Sequence, residues 1–237
     1  MLILALDTSG REGSLALARA EAETCTLIEQ VSLAGGTYSA RVIPELAGLL
    51  ERNSLQRQAI DLYVVASGPG SFTGLRVGLA TVKALAEVLG RLLVEVSVLE
   101  ALAFANGRKG RVITALDAQR GEVFIGEFEV AGAETAGYPV ATLRQELAPL
   151  GDFAAWAFAH KPKQPVVTSD AAVADALRRA GVDVALASRP TAGTMARMGL
   201  LKFRAGITVA PAELDANYIR RSDAEIFSAP RLGIPKS

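Results

Sequence analysis

The chain contains 237 residues, half of them hydrophobic, and its 25 basic residues are balanced by 25 acidic ones. This length allows one large or two small domains with a sizeable hydrophobic core. A neutral chain has no overall field that could hold nucleic acid, so any RNA contact would need a local basic patch or a basic partner.

The number of cysteines and the N-terminal sequence indicate whether the protein can form disulfide bonds and in which cellular compartment it is expected. Cys25 is the only cysteine, which excludes an internal disulfide, and we interpret it as a small buried hydrophobe. The opening residues, MLILALDTSG, lack the basic segment of a signal peptide and are typical of a strand. No apolar run approaches the length of a membrane span. We therefore expect a cytoplasmic protein without membrane contact.

The first half predicts three strands, a helix, a strand, a helix, a strand and a helix, in that order. Alternating or continuous apolar runs give the strands, and apolar stripes at helical spacing give the helices. Three strands in succession favour an antiparallel meander, and the alternation that follows favours parallel crossovers. The predicted ranges are 3–6, 14–19, 24–33, 39–52, 59–66, 75–90, 91–96 and 97–106.

A polar break over 106–110 is a candidate domain junction, and the chain begins again after it. The strand 112–117 ends in Ala-Leu-Asp, as does the strand 2–7, and each is followed by a turn and a returning strand. This repeat predicts two related domains, 1–107 and 108–222, followed by a C-terminal tail, 223–237. The further predicted elements are strands over 122–130 and 165–169 and helices over 170–180 and 191–204, the last a candidate to pack back on the first domain.

The duplicated unit of strand, acid, turn and strand predicts an α/β protein of the actin-like (ASKHA) class. Such a protein has two RNase H-like domains, each with a mixed sheet flanked by helices, and the first hairpin loop of each half faces phosphates. Asp7 and Asp117 end the two leading strands. Either aspartate could position a metal and water, or could cap its own turn. For Asp117 we favour the turn; for Asp7 both interpretations stay open.

Residues 67–78, SGPGSFTGLRVG, form a glycine-rich link between a strand and a helix. The bare backbone suits either an anion at the helix N-terminus or a tight turn packed under a neighbouring element. Leu75 and Arg76 follow Gly74, which excludes a Walker A loop. The glycine spacing also departs from a dinucleotide fingerprint, so a nicotinamide-dependent dehydrogenase has little support. Ser71 and Thr73 are candidate helix caps.

Histidine content restricts the possible catalytic sites. His160 is the only histidine, so a histidine-pair metal site is impossible. A serine hydrolase would need a base beside Ser71, and nothing in the sequence connects His160 with that loop. We expect His160 to lie in an exposed loop, and we predict neither catalytic nor metal-binding residues.

The helix predicted over 75–90 is more apolar than a helix on one sheet requires. Its long polar side chains, Arg76, Lys83 and Glu87, occupy one narrow stripe. Small residues elsewhere on the helix, among them Gly78, would let a second helix approach closely. The sequence therefore allows either a fully buried helix or a helix at a protein interface.

Four segments resemble the bacterial TsaB (YeaZ) family in the order in which that family carries them. They are ILALDTSGREGSLAL, GPGSFTGLRVG, LDAQRGEVF and LDANYIRR, and they are distributed over nearly the whole length of the chain. One position departs from the family, in which a His-Ser pair often begins the first helix; here the pair is Tyr38-Ser39.

The resemblance implies a non-catalytic subunit of the complex that transfers threonylcarbamoyl from threonylcarbamoyl-AMP to N6 of adenosine 37 in tRNAs reading codons that begin with A. The implied partners are a TsaD-like paralogue and a TsaE-like ATPase, with a homodimer when the chain is alone and tRNA reached only through the complex. No cofactor is intrinsic, and ATP or ADP would lie at the partner interface. The rival is an independent ATPase or small-molecule kinase of the actin-like fold, although the second loop, DAQRGEV, has one glycine.

Two sets of site residues are expected here. The family forms dimers through helices of its N-terminal domain, which implies a partner interface, and the loops of the actin-like fold face phosphates, which implies nucleotide-facing loops. The expected partner interface comprises Leu75, Gly78, Leu79, Val82, Leu85, Ala86, Val42, Leu46 and Leu49. The expected nucleotide-facing loops comprise Asp7, Thr8, Ser9, Gly68, Gly70, Ser71, Phe72, Thr73 and Gly74.

Overall fold

The computed structural model describes residues 1–22, 24–132, 137–215 and 219, and they form two five-stranded mixed sheets. The first sheet has the order β3-β2-β1-β4-β5, in which β1, β2 and β3 are antiparallel and β1, β4 and β5 are parallel. Its strands are β1 (Leu2–Asp7), β2 (Glu12–Glu21), β3 (Thr24–Ala34), β4 (Leu62–Gly68) and β5 (Leu92–Ser97).

The second sheet repeats this arrangement. Its order is β10-β9-β6-β7-β8, so its strands, counted along the chain, occupy the same positions as those of the first sheet. They are β6 (Gly110–Asp117), β7 (Glu122–Val130), β8 (Val140–Pro149), β9 (Val166–Thr168) and β10 (Val184–Leu186). The duplicated RNase H-like fold predicted from the repeated Ala-Leu-Asp strand is thereby confirmed.

Six helices of the described residues cover the sheets. Two of them, α1 and α2, share an apolar core with one face of the first sheet, and α3 and α6 share another with the opposite face. The latter core also takes in residues of the second sheet, and α4 and α5 cover the far side of that sheet. The helices are α1 (Tyr38–Arg52), α2 (Phe72–Leu89), α3 (Val98–Ala105), α4 (Leu150–His160), α5 (Ala171–Arg179) and α6 (Ala192–Arg204).

Local sequence explains the clearest elements. Strands β1 and β4 are buried along their whole length because helices cover both sheet faces, and their apolar runs are continuous. Helix α2 ends at Gly90, whose φ of +61° is the left-handed conformation that closes a helix. None of the described helices combines the length and apolarity needed to cross a bilayer.

Three elements were absent from the sequence prediction: β8, α4 and β10. Strand β8, VATLRQELAP, lacks a regular alternation of apolar and polar residues, and nearly all of its residues are exposed or only half-buried, so its pattern resembles a loop. In LGDFAAWAFAH, the sequence of α4, small alanines blur the apolar stripe, and β10 has only three residues. The predicted C-terminal tail, 223–237, lies outside the described residues.

Candidate functional site

The glycine loop packs directly against the first hairpin loop. A Cβ at Gly70 would lie 2.2 Å from the backbone oxygen of Ser9, and one at Gly74 would lie 2.0 Å from that of Thr8. Two hydrogen bonds join the loops: the Ser71 amide donates to the Ser9 carbonyl (2.7 Å), and the Thr8 hydroxyl donates to the Gly74 carbonyl (2.7 Å). The bare backbone of the glycine loop is therefore explained by contact between two chain segments.

Gly78 belongs to the same contact, four residues further along α2. A Cβ there would lie 2.3 Å from Oγ1 of Thr8, so Gly78 faces the sheet rather than solvent. The expectation that a partner helix lands on Gly78 is wrong, because the single chain already covers this position.

The other residues of the expected partner interface share that placement. Apart from Leu85, which is partly buried, every one of them is buried within one chain, so their side chains have no surface left for a partner. They lie between α1, α2 and the first sheet because an apolar stripe is what attaches a helix to its own core. The core members are Val42, Leu46, Leu49, Leu75, Gly78, Leu79, Val82 and Ala86.

The solvent side of α1 and α2 carries a second apolar surface, which we call the outer helix face. It consists of Ala40, Ile43 and Ala47 of α1 and Ala80, Ala84 and Val88 of α2, all exposed. Ile43 is 54% exposed and Val88 is 80% exposed. Periodicity alone could not separate this side of α2 from the core side, because both sides are apolar.

The first hairpin loop holds a buried polar network. The Asp7 carboxylate, only 1% exposed, accepts hydrogen bonds from the amide (2.8 Å) and the hydroxyl (2.5 Å) of Ser9. Arg189, just before α6, donates from Nη2 to the Ser9 hydroxyl at 3.0 Å. Its guanidinium lies over Gly10, where a Cβ would be 3.0 Å from Nε. Oδ1 of Asp7 thus accepts two hydrogen bonds from its own turn, as in a turn-capping aspartate.

Arg189 is the residue of this network that the sequence did not reveal. It is 180 positions from Ser9 in the chain, and no motif surrounds it. Its Nε atom is buried and has no hydrogen-bond partner in the described structure. The second half of the chain therefore supplies a cation to the hairpin loop of the first.

Tyr38 supports the same loop from the start of α1. Its hydroxyl donates to the Gly10 carbonyl at 2.9 Å. Burial, with a smaller contribution from the Asp7 carboxylate, raises the pKa of Tyr38 to about 12. The hydroxyl consequently stays protonated at neutral pH and remains a donor, so the residue that departs from the family pattern holds the hairpin loop.

The second hairpin loop is a turn closed by its own aspartate. Oδ1 of Asp117 accepts from the Gln119 amide at 2.8 Å, and the Asp117 amide donates to the Asp170 carboxylate at 2.7 Å. Gln119 and Arg120 have left-handed φ angles of 63° and 57°. This is the turn-capping role that the sequence favoured for Asp117.

The remaining candidates differ from expectation in detail. Ser71 caps α2, since its hydroxyl accepts from the Gly74 amide at 3.3 Å, whereas Thr73 lies within the helix and is not a cap. His160 is exposed as expected, but it is the last residue of α4 and stacks on Trp156 with 4.8 Å between ring centroids. In the described part of the chain no three residues among His, Cys, Asp and Glu are grouped as metal ligands.

The two sheets, each with a meander followed by parallel strands, define the actin-like class of proteins. Within that class, residues 32–180 match the model of the TsaD family, tRNA N6-adenosine threonylcarbamoyltransferase. The chain belongs to this family, among its TsaB (YeaZ) members.

Individual relatives agree with this placement. The chain is similar to the tRNA threonylcarbamoyladenosine biosynthesis protein TsaB of Bacillus subtilis, at 38% identity over 54% of this chain and 56% of that protein. It is similar to the Escherichia coli TsaB at 31% identity over 54% of this chain and 55% of that one. The matched region thus spans about half the length of these curated relatives.

A solved structure extends the likeness of fold to most of the chain. YeaZ from Pseudomonas aeruginosa matches with a TM-score of 0.67 and covers 92% of this chain and 100% of that one. The two sequences are 21% identical, so this match describes the fold.

Proposed function

We propose that this chain is a non-catalytic subunit of a tRNA threonylcarbamoyladenosine complex. In this role it holds the TsaD-like subunit that transfers threonylcarbamoyl from threonylcarbamoyl-AMP to N6 of adenosine 37, in tRNAs that read codons beginning with A. Family membership and the names of the TsaB relatives support the pathway. The packing of the two loops supports the scaffold role.

The observation that carries the proposal is the closed junction between the hairpin loop and the glycine loop. In an actin-like ATPase the first hairpin loop faces phosphates, whereas here Ser9 offers its carbonyl to Ser71 and its hydroxyl to Asp7 and Arg189. The donors that could bind phosphate, namely the amide and hydroxyl of Ser9 and the amide of Ser71, are therefore engaged within the chain. This arrangement favours a scaffold over the independent ATPase or kinase.

The outer helix face is the surface that we assign to the partner. Its alanines allow close helix approach, and Ile43 and Val88 supply apolar area that water otherwise contacts. In the proposal this face binds the TsaD-like paralogue in the complex and a second copy of the chain when it is alone. A TsaE-like ATPase then joins, ATP or ADP lies at the partner interface, and tRNA is reached through the assembled complex in the cytoplasm.

Depletion of the protein in a strain with a single gene copy tests the proposal. We expect threonylcarbamoyladenosine in digested bulk tRNA to fall, while the synthesis of threonylcarbamoyl-AMP in the same extract stays unchanged. Mass spectrometry measures both quantities. An unchanged level of the modified nucleoside after depletion would exclude the proposed pathway, and a parallel loss of threonylcarbamoyl-AMP synthesis would exclude the transfer step.

A further inference from the structure

A cleft of about 740 Å³ lies between the start of β3 and α6, and we call it the α6 cleft. It is on the face of the first sheet opposite α1 and α2, and so away from the outer helix face. Its apolar wall includes Leu27, Phe104 and Leu200. None of the scaffold functions described above uses this cleft.

Two arginines one heptad apart on α6, Arg197 and Arg204, line the same cleft. Residues seven apart on a helix lie on the same face, so both guanidinium groups reach the cleft from one side. Arg197 has no ion-pair or hydrogen-bond partner among the described residues. None of the described residues that line the cleft is acidic. The cleft therefore combines positive charge with an apolar wall.

Cys25 lies in this cleft, and both arginines affect the pKa of its thiol. Burial raises the pKa of the Cys25 thiol, and the charges of Arg197 and Arg204 act in the opposite direction. Cys25 therefore lines the same cleft as the two arginines and lies within range of their charges. Thr26 and Thr194 also line the cleft.

We propose that the α6 cleft binds a small organic oxyanion, in which a phosphate or carboxylate group is attached to an apolar or aromatic body. The guanidinium group of Arg197 donates charge-assisted hydrogen bonds to the oxyanion, because planar guanidinium geometry matches paired oxygens, and Arg204 adds positive charge to the same cleft. The body of the ligand packs on Phe104, Leu27 and Leu200. The volume of the cleft is in the range of small-molecule sites, which are mostly apolar with a few polar groups that fix orientation.

The single cysteine provides a direct assay of occupancy. Iodoacetamide, which is neutral, alkylates the thiolate with loss of iodide, and mass spectrometry of the intact chain follows Cys25 without interference from another thiol. We expect phenyl phosphate or benzoate to slow this reaction in a saturable way, and the tighter of the two identifies the preferred oxyanion. Phenol and inorganic phosphate, which each lack one half of the proposed ligand, should protect much less.

The variant Arg197→Gln should weaken the apparent affinity for the protecting anion about tenfold or more, since it removes a charged donor. Each variant is normalised to its own rate without ligand, because the change also alters the thiol. Arg179→Gln is the matched control: it removes an exposed helical arginine on α5, remote from Cys25.

Three patterns of protection would overturn the proposal. They are equal protection by phenol and phenyl phosphate, equal protection by inorganic phosphate, and unchanged protection in Arg197→Gln. The absence of protection by both organic anions would also overturn it. None of these results bears on the proposed scaffold function, because that function uses a different face of the molecule.

Discussion

At the scale of single residues, three glycines determine how the candidate site is built. Gly70, Gly74 and Gly78 each face atoms of Thr8 or Ser9 at distances that no Cβ could occupy. Sequence reasoning recognised that the loop needs a bare backbone, but it left open whether a ligand or the chain itself comes close. That distinction depends on which segment lies opposite, and a local pattern contains no such information.

Gly78→Ala should destabilise the fold by about 1–3 kcal/mol, because the added methyl group overlaps Oγ1 of Thr8. Thermal or denaturant unfolding measures the loss. In a Thr8→Ala background the overlap disappears, and the same change should be neutral or stabilising by up to about 1 kcal/mol through helix propensity.

Gly48→Ala on α1 is the matched control for this cycle. Its Cβ would meet only the flexible end of Arg52, 3.1 Å away, so we expect a gain of roughly 0.5–1 kcal/mol. If Gly78→Ala gave the same gain in the native background, the inward placement of Gly78 would be contradicted.

Ionisation of Tyr38 should make the free energy of unfolding decrease as the pH rises. Its pKa is raised in the folded protein from 10.0 to about 12, so the unfolded chain loses its proton first as the pH rises. The stabilisation is therefore complete below pH 10.0 and is lost as the pH rises towards about 12. Unfolding free energies of the native chain and Tyr38→Phe should converge over that interval. Parallel curves would show that Tyr38 does not titrate in this environment.

At the scale of elements, prediction succeeded where one pattern dominated. The continuous apolar runs located β1 and β4, although β4 begins at Leu62 rather than at 59, and Gly90 located the end of α2, which begins at Phe72 rather than at 75. It failed where the deciding interaction is tertiary, as in β8, whose irregular and largely exposed sequence becomes a strand by pairing with β7. The two apolar sides of α2 illustrate the same limit of sequence prediction. The sequence shows that both sides are apolar, but it does not show which side packs against the sheet and which side faces solvent.

The outer helix face gives a prediction at this scale. Ile43→Glu together with Val88→Glu should abolish or strongly weaken association with the TsaD-like partner, because charges would be buried in an apolar contact. The melting temperature should hardly change, since both side chains are exposed in the single chain. Sedimentation with and without the partner measures association.

Leu143→Glu provides the control, since Leu143 is 52% exposed on β8 of the other sheet. It should leave association intact. Normal association of the double variant would place the partner elsewhere on the molecule.

At the scale of the whole molecule, the layer of α3 and α6 joins the two halves. Helix α6 follows β10 of the second sheet in the chain, yet it packs on β1, β2 and β4 of the first. Lys202 on α6 pairs with Glu100 on α3 at 2.7 Å, and both side chains are largely buried, at 12% and 5% exposure. Lys202 also donates to the Glu95 carbonyl of β5.

Lys202→Met should destabilise the protein by about 3–5 kcal/mol, because it leaves the Glu100 carboxylate buried without its cation. Adding Glu100→Gln should recover part of that loss. The exposed pair of Arg41 and Glu45 is the control, and Arg41→Met should cost less than about 1 kcal/mol. Equal losses from the two single variants, measured by denaturant unfolding, would contradict a joining role for the buried pair.

The return of α6 to the first sheet also bears on protein synthesis. The ribosome completes the first sheet at Ser97 and α3 soon afterwards, but α6, which covers β1, β2 and β4 on the same face as α3, ends at Arg204. At a synthesis rate of about 5–20 residues per second, α6 would be complete roughly 5–20 s after the first sheet. During that interval the nascent chain carries an open apolar face, which makes it a natural client for a ribosome-associated chaperone.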